Sequence, residues 1–257
     1  KARAEPEGLI DPNVRSISFF ADDKPIAVLC YYATHPMSYY RTGKANADFV
    51  GLARDAREKE LGVPHIYFTG AAGNVAAGKY NNGDHKNRQL FADRLASGMA
   101  LAWKNTKKHA VDAGDVTWRV KRVAIPPSAA LNEKELVATL ENKEAAFGDR
   151  YQAARELVWL RRCQAGEKID LSCLHIGPAS ILHMCGELFI EYQLVAQQMQ
   201  PKRFVAMAAY GEYAMGYIGT EKAYPQGGYE VTRRASRVAP AVEQVLMAAM
   251  HELLVSP

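Results

Sequence analysis

Leu171-Ser172-Cys173-Leu174-His175-Ile176-Gly177-Pro178-Ala179-Ser180-Ile181-Leu182-His183-Met184-Cys185-Gly186-Glu187 carries two apolar runs of strand length around a single Gly-Pro turn. Short apolar or β-branched runs bounded by turn residues read as strands, so 171–176 and 180–184 are expected to pair. Glu187 closes the second run, and 187–199 continues with helical character. A hairpin that hands over directly to a helix is the signature of a chain mixing strands and helices in one core.

Working outward, further strands are expected at Ser16–Phe20, Ile26–Ala33, Ile66–Thr69, Val116–Ile125 and Phe204–Ala209. Asp22-Asp23-Lys24 is a turn signal joining the first two. Helical patterns fall at Asn46–Leu61, Asn87–Lys107, Asn132–Gln164 and Thr232–Leu254; in the second, Leu90, Phe91, Leu95, Met99 and Leu101 recur at helical spacing. The third reads as one long helix or a hairpin broken at Gly148. Its charged stretch, within 132–166, is either a hairpin projecting beside the sheet or a solvated outer layer. The expected fold is α/β, a mixed β-sheet flanked by helices, forming one domain over residues 1–257. No repeat, low-complexity tract or Pro/Gly/Ser linker divides the chain.

The 257 residues are 48% apolar and 23% charged, which suits a packed core and excludes a disordered chain. Lys and Arg number 32 against 28 Asp and Glu, and basic residues cluster only as doublets such as Lys107-Lys108 and Arg233-Arg234. That is no surface for nucleic acid, which requires a dense basic stripe. The longest unbroken apolar run, Pro25–Ala33, falls far short of the ~20 residues of a membrane helix. Four cysteines, Cys30, Cys163, Cys173 and Cys185, form no C-x-x-C pair, and three lie in apolar runs where a thiol packs as a small hydrophobe. The sequence opens at Lys1 without Met or signal peptide, so a segment is expected upstream.

Polar, glycine-rich or aromatic segments follow four of the strands: 34–40, 69–83, 186–187 and 210–229. The crevice outside strand carboxyl ends is where open α/β sheets bind ligands. In Thr69–Gly83, Gly73, Gly78 and Lys79 match the spacing of a phosphate loop, but Tyr80 replaces its Ser or Thr and a turn replaces its helix. Two readings remain: small residues admitting backbone amides to a ligand or oxyanion, or a turn needed for packing. His35, held extended by Pro36, is either a structural residue or a ligand. No H-x-x-x-H or H-E-x-x-H pattern occurs, so a metal site has to be assembled from separate segments; no G-x-S-x-G elbow is present either. Glu187 reads as a helix-capping carboxylate or a functional one. Five tyrosines within 210–230 line a pocket, ligate a metal or form an interaction surface.

At these residues the chain resembles the neutral/alkaline non-lysosomal ceramidase family, especially its bacterial ceramidase-like members, from Pro6-Glu7-Gly8-Leu9-Ile10-Asp11-Pro12 through Glu230. That family holds zinc with two histidines, a glutamate and a tyrosine. The resemblance implies His35, in Thr34-His35-Pro36-Met37-Ser38, as the second histidine; Glu187, in Cys185-Gly186-Glu187-Leu188-Phe189; and Tyr217, in Gly216-Tyr217-Ile218-Gly219-Thr220. The family's G-D-V-S-P-N loop aligns with Gly73-Asn74-Val75-Ala76-Ala77-Gly78, placing Ala76 where the family has a serine and Asn74 where it has an aspartate. No counterpart of the first zinc histidine precedes His35, so it is expected upstream of Lys1, and the family's C-terminal immunoglobulin-like domain has no counterpart either.

The expected activity is zinc-dependent hydrolysis of an amide in an N-acyl, lipid-like or sugar-like small molecule, sphingolipids being the family's class. Gly73, Asn74, Ala76 and Tyr80 belong to the catalytic loop in this reading, with Tyr39 and Tyr213 binding substrate. The alternative is a ceramidase-like binding or scaffold domain with impaired chemistry. The family resemblance favours a secreted or periplasmic location, and an upstream segment of the same protein is a possible partner.

Overall fold

The computed structural model describes residues 4–40 and 42–255; the chain ends Lys1 and Pro257, and Arg41 in the polar segment after His35, lie outside the described residues. The elements run β1 (Arg15–Ala21), β2 (Lys24–Tyr32), α1 (Asp48–Leu61), β3 (His65–Thr69), α2 (Asn87–Lys104), β4 (Val116–Val123), α3 (Glu133–Glu141) and α4 (Phe147–Gln164). There follow β5 (Ile169–Ile176), β6 (Ala179–Cys185), β7 (Glu187–Leu188), α5 (Ile190–Met199), β8 (Phe204–Gly211), β9 (Tyr217–Ile218), α6 (Ala223–Gln226) and α7 (Val242–Val255).

The strands divide over two stacked sheets and a small third one. In the first, β2 is central, antiparallel to β1 and parallel to β3. The second has the order β4-β5-β6-β8, antiparallel except for the parallel β6–β8 edge. The expected mixed α/β architecture therefore holds within each sheet, although the sequence reading had all strands in one. The split follows from side-chain alternation, since both faces of β2, β6 and β8 are apolar and each needs a covering layer.

Val28 and Cys30 on one face of β2 pack with Phe49, Ala53, Phe91 and Leu95 of α1 and α2. Tyr31 on the opposite face meets Ile181, Ala206 and Ala208 of the second sheet, with Phe68 stacked on Tyr31 at 5.1 Å. The far face of the second sheet, through Leu171, Cys173, Leu182, Met184 and Met207, packs against α4, α5 and α7. The order is helices, sheet, sheet, helices. Full burial of each such side chain is worth roughly 1.5–3 kcal/mol before entropy is counted, which is what makes each sheet face demand a cover. All four cysteines are free; burial pushes the Cys30, Cys173 and Cys185 thiols up to about 12, so they serve as core apolar groups.

Three boundaries differ from the sequence reading. The 132–164 region breaks at 142–146 rather than at Gly148, giving α3 and α4. The last helix begins at Val242 instead of Thr232, because Pro240 brings no N–H and steers Ala239 out of helical conformation. Residues 235–238 instead run alongside the 215–217 segment: Tyr217 N–H donates to Ala235 O at 3.0 Å and Arg237 N–H to Met215 O at 3.0 Å. Glu187 does not cap a helix; it lies in β7, and α5 starts at Ile190. No helix among the described residues is long and apolar enough to cross a membrane.

Candidate functional site

Four segments leaving the sheets are stitched together by main-chain hydrogen bonds. After β6, Gly186 turns the chain at φ 64°, which glycine adopts without strain, so that β7 pairs in parallel with β9, Glu187 opposite Tyr217. Glu187 N–H donates to Gly216 O at 2.9 Å and Phe189 N–H to Ile218 O at 3.1 Å. The loop after β3 joins from the other side, Gly73 N–H donating to Leu188 O at 2.7 Å. A Cβ at Gly73 would stand 2.5 Å from Glu187 O, so only glycine permits this approach. His35, three residues beyond β2, is fixed to the same loop by His35 N–H donating to Val75 O at 2.9 Å.

The side chains meet at the junction. His35 Nδ1 lies 2.6 Å from Ala72 O, and because a carbonyl can only accept, Nδ1 carries the proton and Nε2 is the atom presented inward. Nε2 stands 3.1 Å from Glu187 Oε2 and 3.2 Å from the Tyr217 hydroxyl. The Tyr213 hydroxyl donates a hydrogen bond to Glu187 Oε1. Tyr217 stacks on the imidazole at 6.0 Å, and Tyr210 meets it edge-on at 6.3 Å.

The electrostatics are those of a partly buried ion pair. Burial alone works against a charged His35, but the Glu187 carboxylate and the Ala72 and Val75 carbonyls outweigh it and raise its pKa. Burial likewise works against a charged Glu187, yet His35 and the Tyr213 hydroxyl hold its pKa below the usual carboxylate value. Burial first, then the hydrogen bond to Glu187 and its charge, push Tyr213 up to about 12, and burial and the Glu187 charge raise Tyr217 as well. Both phenols are therefore protonated donors at neutral pH.

Among the described residues no group of three or more His, Cys, Asp or Glu side chains gathers for a metal. His35, Glu187 and Tyr217 together offer one imidazole nitrogen, one carboxylate and one phenol. Tetrahedral ligands at ~2.0–2.1 Å from zinc stand about 3.3–3.4 Å from one another, close to the 3.1 and 3.2 Å separations found. The Nδ1–carbonyl bond is the outer contact that orients a metal-binding imidazole. His35, Glu187 and Tyr217 are the residues that could hold a zinc ion here.

The remaining expected residues lie otherwise. Asn74 turns its side chain to α5: Oδ1 accepts from Ile190 N–H at 2.8 Å and Nδ2 donates to Glu191 at 2.9 Å. The Gly73 and Val75 amides are already used, by Leu188 O and Ala72 O. Ala76 is extended and exposed, before a 3₁₀ turn at Ala77–Tyr80. Tyr80 donates to Glu7, and Lys79 is bound to Glu5 O and Glu7, which ties the loop to the N-terminal segment. Tyr39 is sandwiched between His85, at 4.1 Å, and the Arg88 guanidinium, at 3.9 Å.

Tyr210 was not singled out from sequence. It has φ 67°, a strained conformation for a non-glycine residue, and a buried hydroxyl without a partner, both at the mouth of the site. Its place at the head of the tyrosine-rich run was the available signal.

No family model and no curated protein matches this sequence. Solved structures do. A ceramidase complexed with C2 superposes with a TM-score of 0.71 at 14% identity, over 96% of this chain and 48% of that one. Neutral ceramidase from Pseudomonas aeruginosa superposes with a TM-score of 0.69 at 16% identity, over 96% of this chain and 46% of that one. The chain spans about half the length of these structures, and over that span it has a ceramidase-like fold.

Proposed function

We propose that the chain is a hydrolase that splits the amide bond of an N-acyl compound, with His35, Glu187 and Tyr217 as zinc ligands. The observation that supports this most is the meeting of these three side chains from three separate sheet exits, with Nε2 of His35 within 3.2 Å of both oxygens. Zinc held by these residues would supply Lewis acidity to a carbonyl oxygen and would bring the pKa of a water towards ~7.

The chain's own groups do the rest. Ala72 O fixes the His35 tautomer, and the Tyr213 hydroxyl orients Glu187 through Oε1. The single Tyr213 O–H is engaged by Glu187, so Tyr213 acts on the reaction through that carboxylate. In the reaction the C–N bond breaks, water delivers hydroxyl to the acyl carbon, and the amine departs with the proton. Asn74 drops out of the oxyanion role in this reading, since its amide holds α5.

A second reading, a binding or scaffold domain of the same fold, is favoured by Ala76 in place of the family's serine. Amine release from N-acyl substrates, with zinc and after chelation, separates the two. The hydrolase reading expects zinc-dependent turnover that falls at least ~10²-fold in His35→Ala and Glu187→Gln, on the scale of losing an essential catalytic group. Equal release by wild type and variants refutes it.

A further inference from the structure

Beside the tyrosines of the site opens a small cleft of about 130 Å³, lined among others by Tyr213, Tyr217, Tyr229, Arg155, Arg234 and Arg237. Tyr213 and Tyr217 belong to both places: their hydroxyls touch Glu187 and His35, and their rings wall the cleft. A group seated among the arginines is therefore one tyrosine away from the proposed reacting bond.

The arginines make no direct ion pair among the described residues. Arg237 is 2% exposed, its Nε is buried without a partner, and its guanidinium donates to Ala214 O at 3.3 Å. Among the described residues no carboxylate lies within ion-pair distance of Arg155, Arg234 or Arg237. Glu156 is the nearby acid, and it is otherwise engaged: it accepts from Gln152 at 2.7 Å and stands 3.8 Å from Arg233. Burial, with Arg155 adding to it, lowers the pKa of Arg237 by more than the Glu156 charge raises it, the direction of a cation incompletely compensated.

An unpaired guanidinium out of water is strongly unfavourable unless an anion completes it. Arginine is the residue whose planar fork matches a carboxylate or phosphate with two parallel hydrogen bonds. A cleft of about 130 Å³ has room for such a head group.

We propose that this cleft binds an anionic group, a carboxylate or phosphate, on the substrate, so that the compound recognised is an acidic N-acyl molecule such as an N-acylated amino acid and not a neutral lipid amide. The substrate class rests on the hydrolase reading above; the anion subsite does not.

The test is calorimetric titration of the full chain with N-hexanoylglycine, with its uncharged methyl ester and with inorganic phosphate, alongside amine release from the acid and the ester. Wild type is expected to bind the acid at least tenfold more tightly than the ester. Arg155→Gln and Arg234→Gln, the less buried positions, should each reduce that preference severalfold, with thermal melts confirming the fold. Phosphate that competes with the acid assigns the cleft to oxyanions generally; phosphate that does not compete, with the acid still preferred, restricts it to carboxylates. Equal binding of acid and ester, or a preference unchanged in both variants, overturns the proposal. Preferential binding without cleavage would remove the hydrolase reading and leave the subsite; cleavage of both compounds with no binding preference would do the reverse.

Discussion

Replacing Asn74 by alanine separates a structural role from a catalytic one. The Asn74 side chain does for α5 what no neighbour in the sequence does: Phe189 at the helix start offers no side-chain cap, and Asn74 Oδ1 accepts from Ile190 N–H at 2.8 Å across the fold. Ile190 is fully buried while Asn74 is exposed, so removing the acceptor leaves a helix-terminal donor that only solvent entering from the Asn74 side can satisfy. A lost cap costs about 0.5–2 kcal/mol, and a buried donor left unsatisfied about 1–3 kcal/mol. These describe one and the same bond, so roughly 1–2 kcal/mol is the expected loss. The exposed bond from Nδ2 to Glu191 adds little. At about 2–4 °C per kcal/mol for a chain of this size, the melting temperature should fall by roughly 2–8 °C. Differential scanning fluorimetry or calorimetry, with amine release measured well below the melt, gives both quantities. An unchanged melting temperature with a ~10²–10³-fold slower rate, the mark of a lost oxyanion donor, would refute the capping argument and return Asn74 to the chemistry.

Gly73→Ala should do more damage than a surface glycine change, since its Cβ would meet the carbonyls of Glu187 and Leu188 at 2.5 and 2.9 Å; lowered melting temperature and lost zinc affinity are expected together, and unaltered zinc affinity would show that the loop can yield. The His35–Glu187 pair sets a pH window in the metal-free protein. The raised His35 pKa gives stability that is complete below the unfolded value of 6.5 and lost as pH rises through the higher folded value. The lowered Glu187 pKa gives stability complete above 4.5 and lost as pH falls through the lower folded value. The pair's contribution, read as the difference between wild type and His35→Ala in chemical denaturation, should peak between those values; a contribution that grows steadily to pH 9 would mean His35 is neutral. Tyr210→Phe removes a buried hydroxyl without a partner, so stability should hold or rise slightly, and a fall above ~1 kcal/mol would mean the hydroxyl is satisfied.

How much was readable in the sequence depended on range. The hairpin of β5 and β6, the turn at Gly177 and the helices α1 and α2 follow from local pattern, and the structure has them close to where that pattern ends. What the pattern could not carry was contact at a distance. Nothing in 185–190 says that the helix will start at Ile190, because its cap comes from Asn74, more than a hundred residues earlier. Residues 232–241 look helical by composition but are drawn off to pair with Met215 and Tyr217. Arg237 reads as a surface charge in any one-dimensional view, yet it is buried beside the site, so the arginine cleft was invisible. The division into two sheets was equally hidden, since alternation shows that β2 has two apolar faces and not what covers each. His35, Glu187 and Tyr217 could be named through the family resemblance; their meeting required the β7–β9 pairing, which two-residue strands do not announce.

Anomalous scattering at the zinc edge from crystals of the chain grown with equimolar zinc addresses the site itself. The expected result is a single strong peak about 2.0–2.2 Å from His35 Nε2, Glu187 and the Tyr217 hydroxyl, absent from crystals of Glu187→Gln. Zinc bound elsewhere, or no peak at this junction at full zinc loading, would contradict the assignment of these three residues as a metal site.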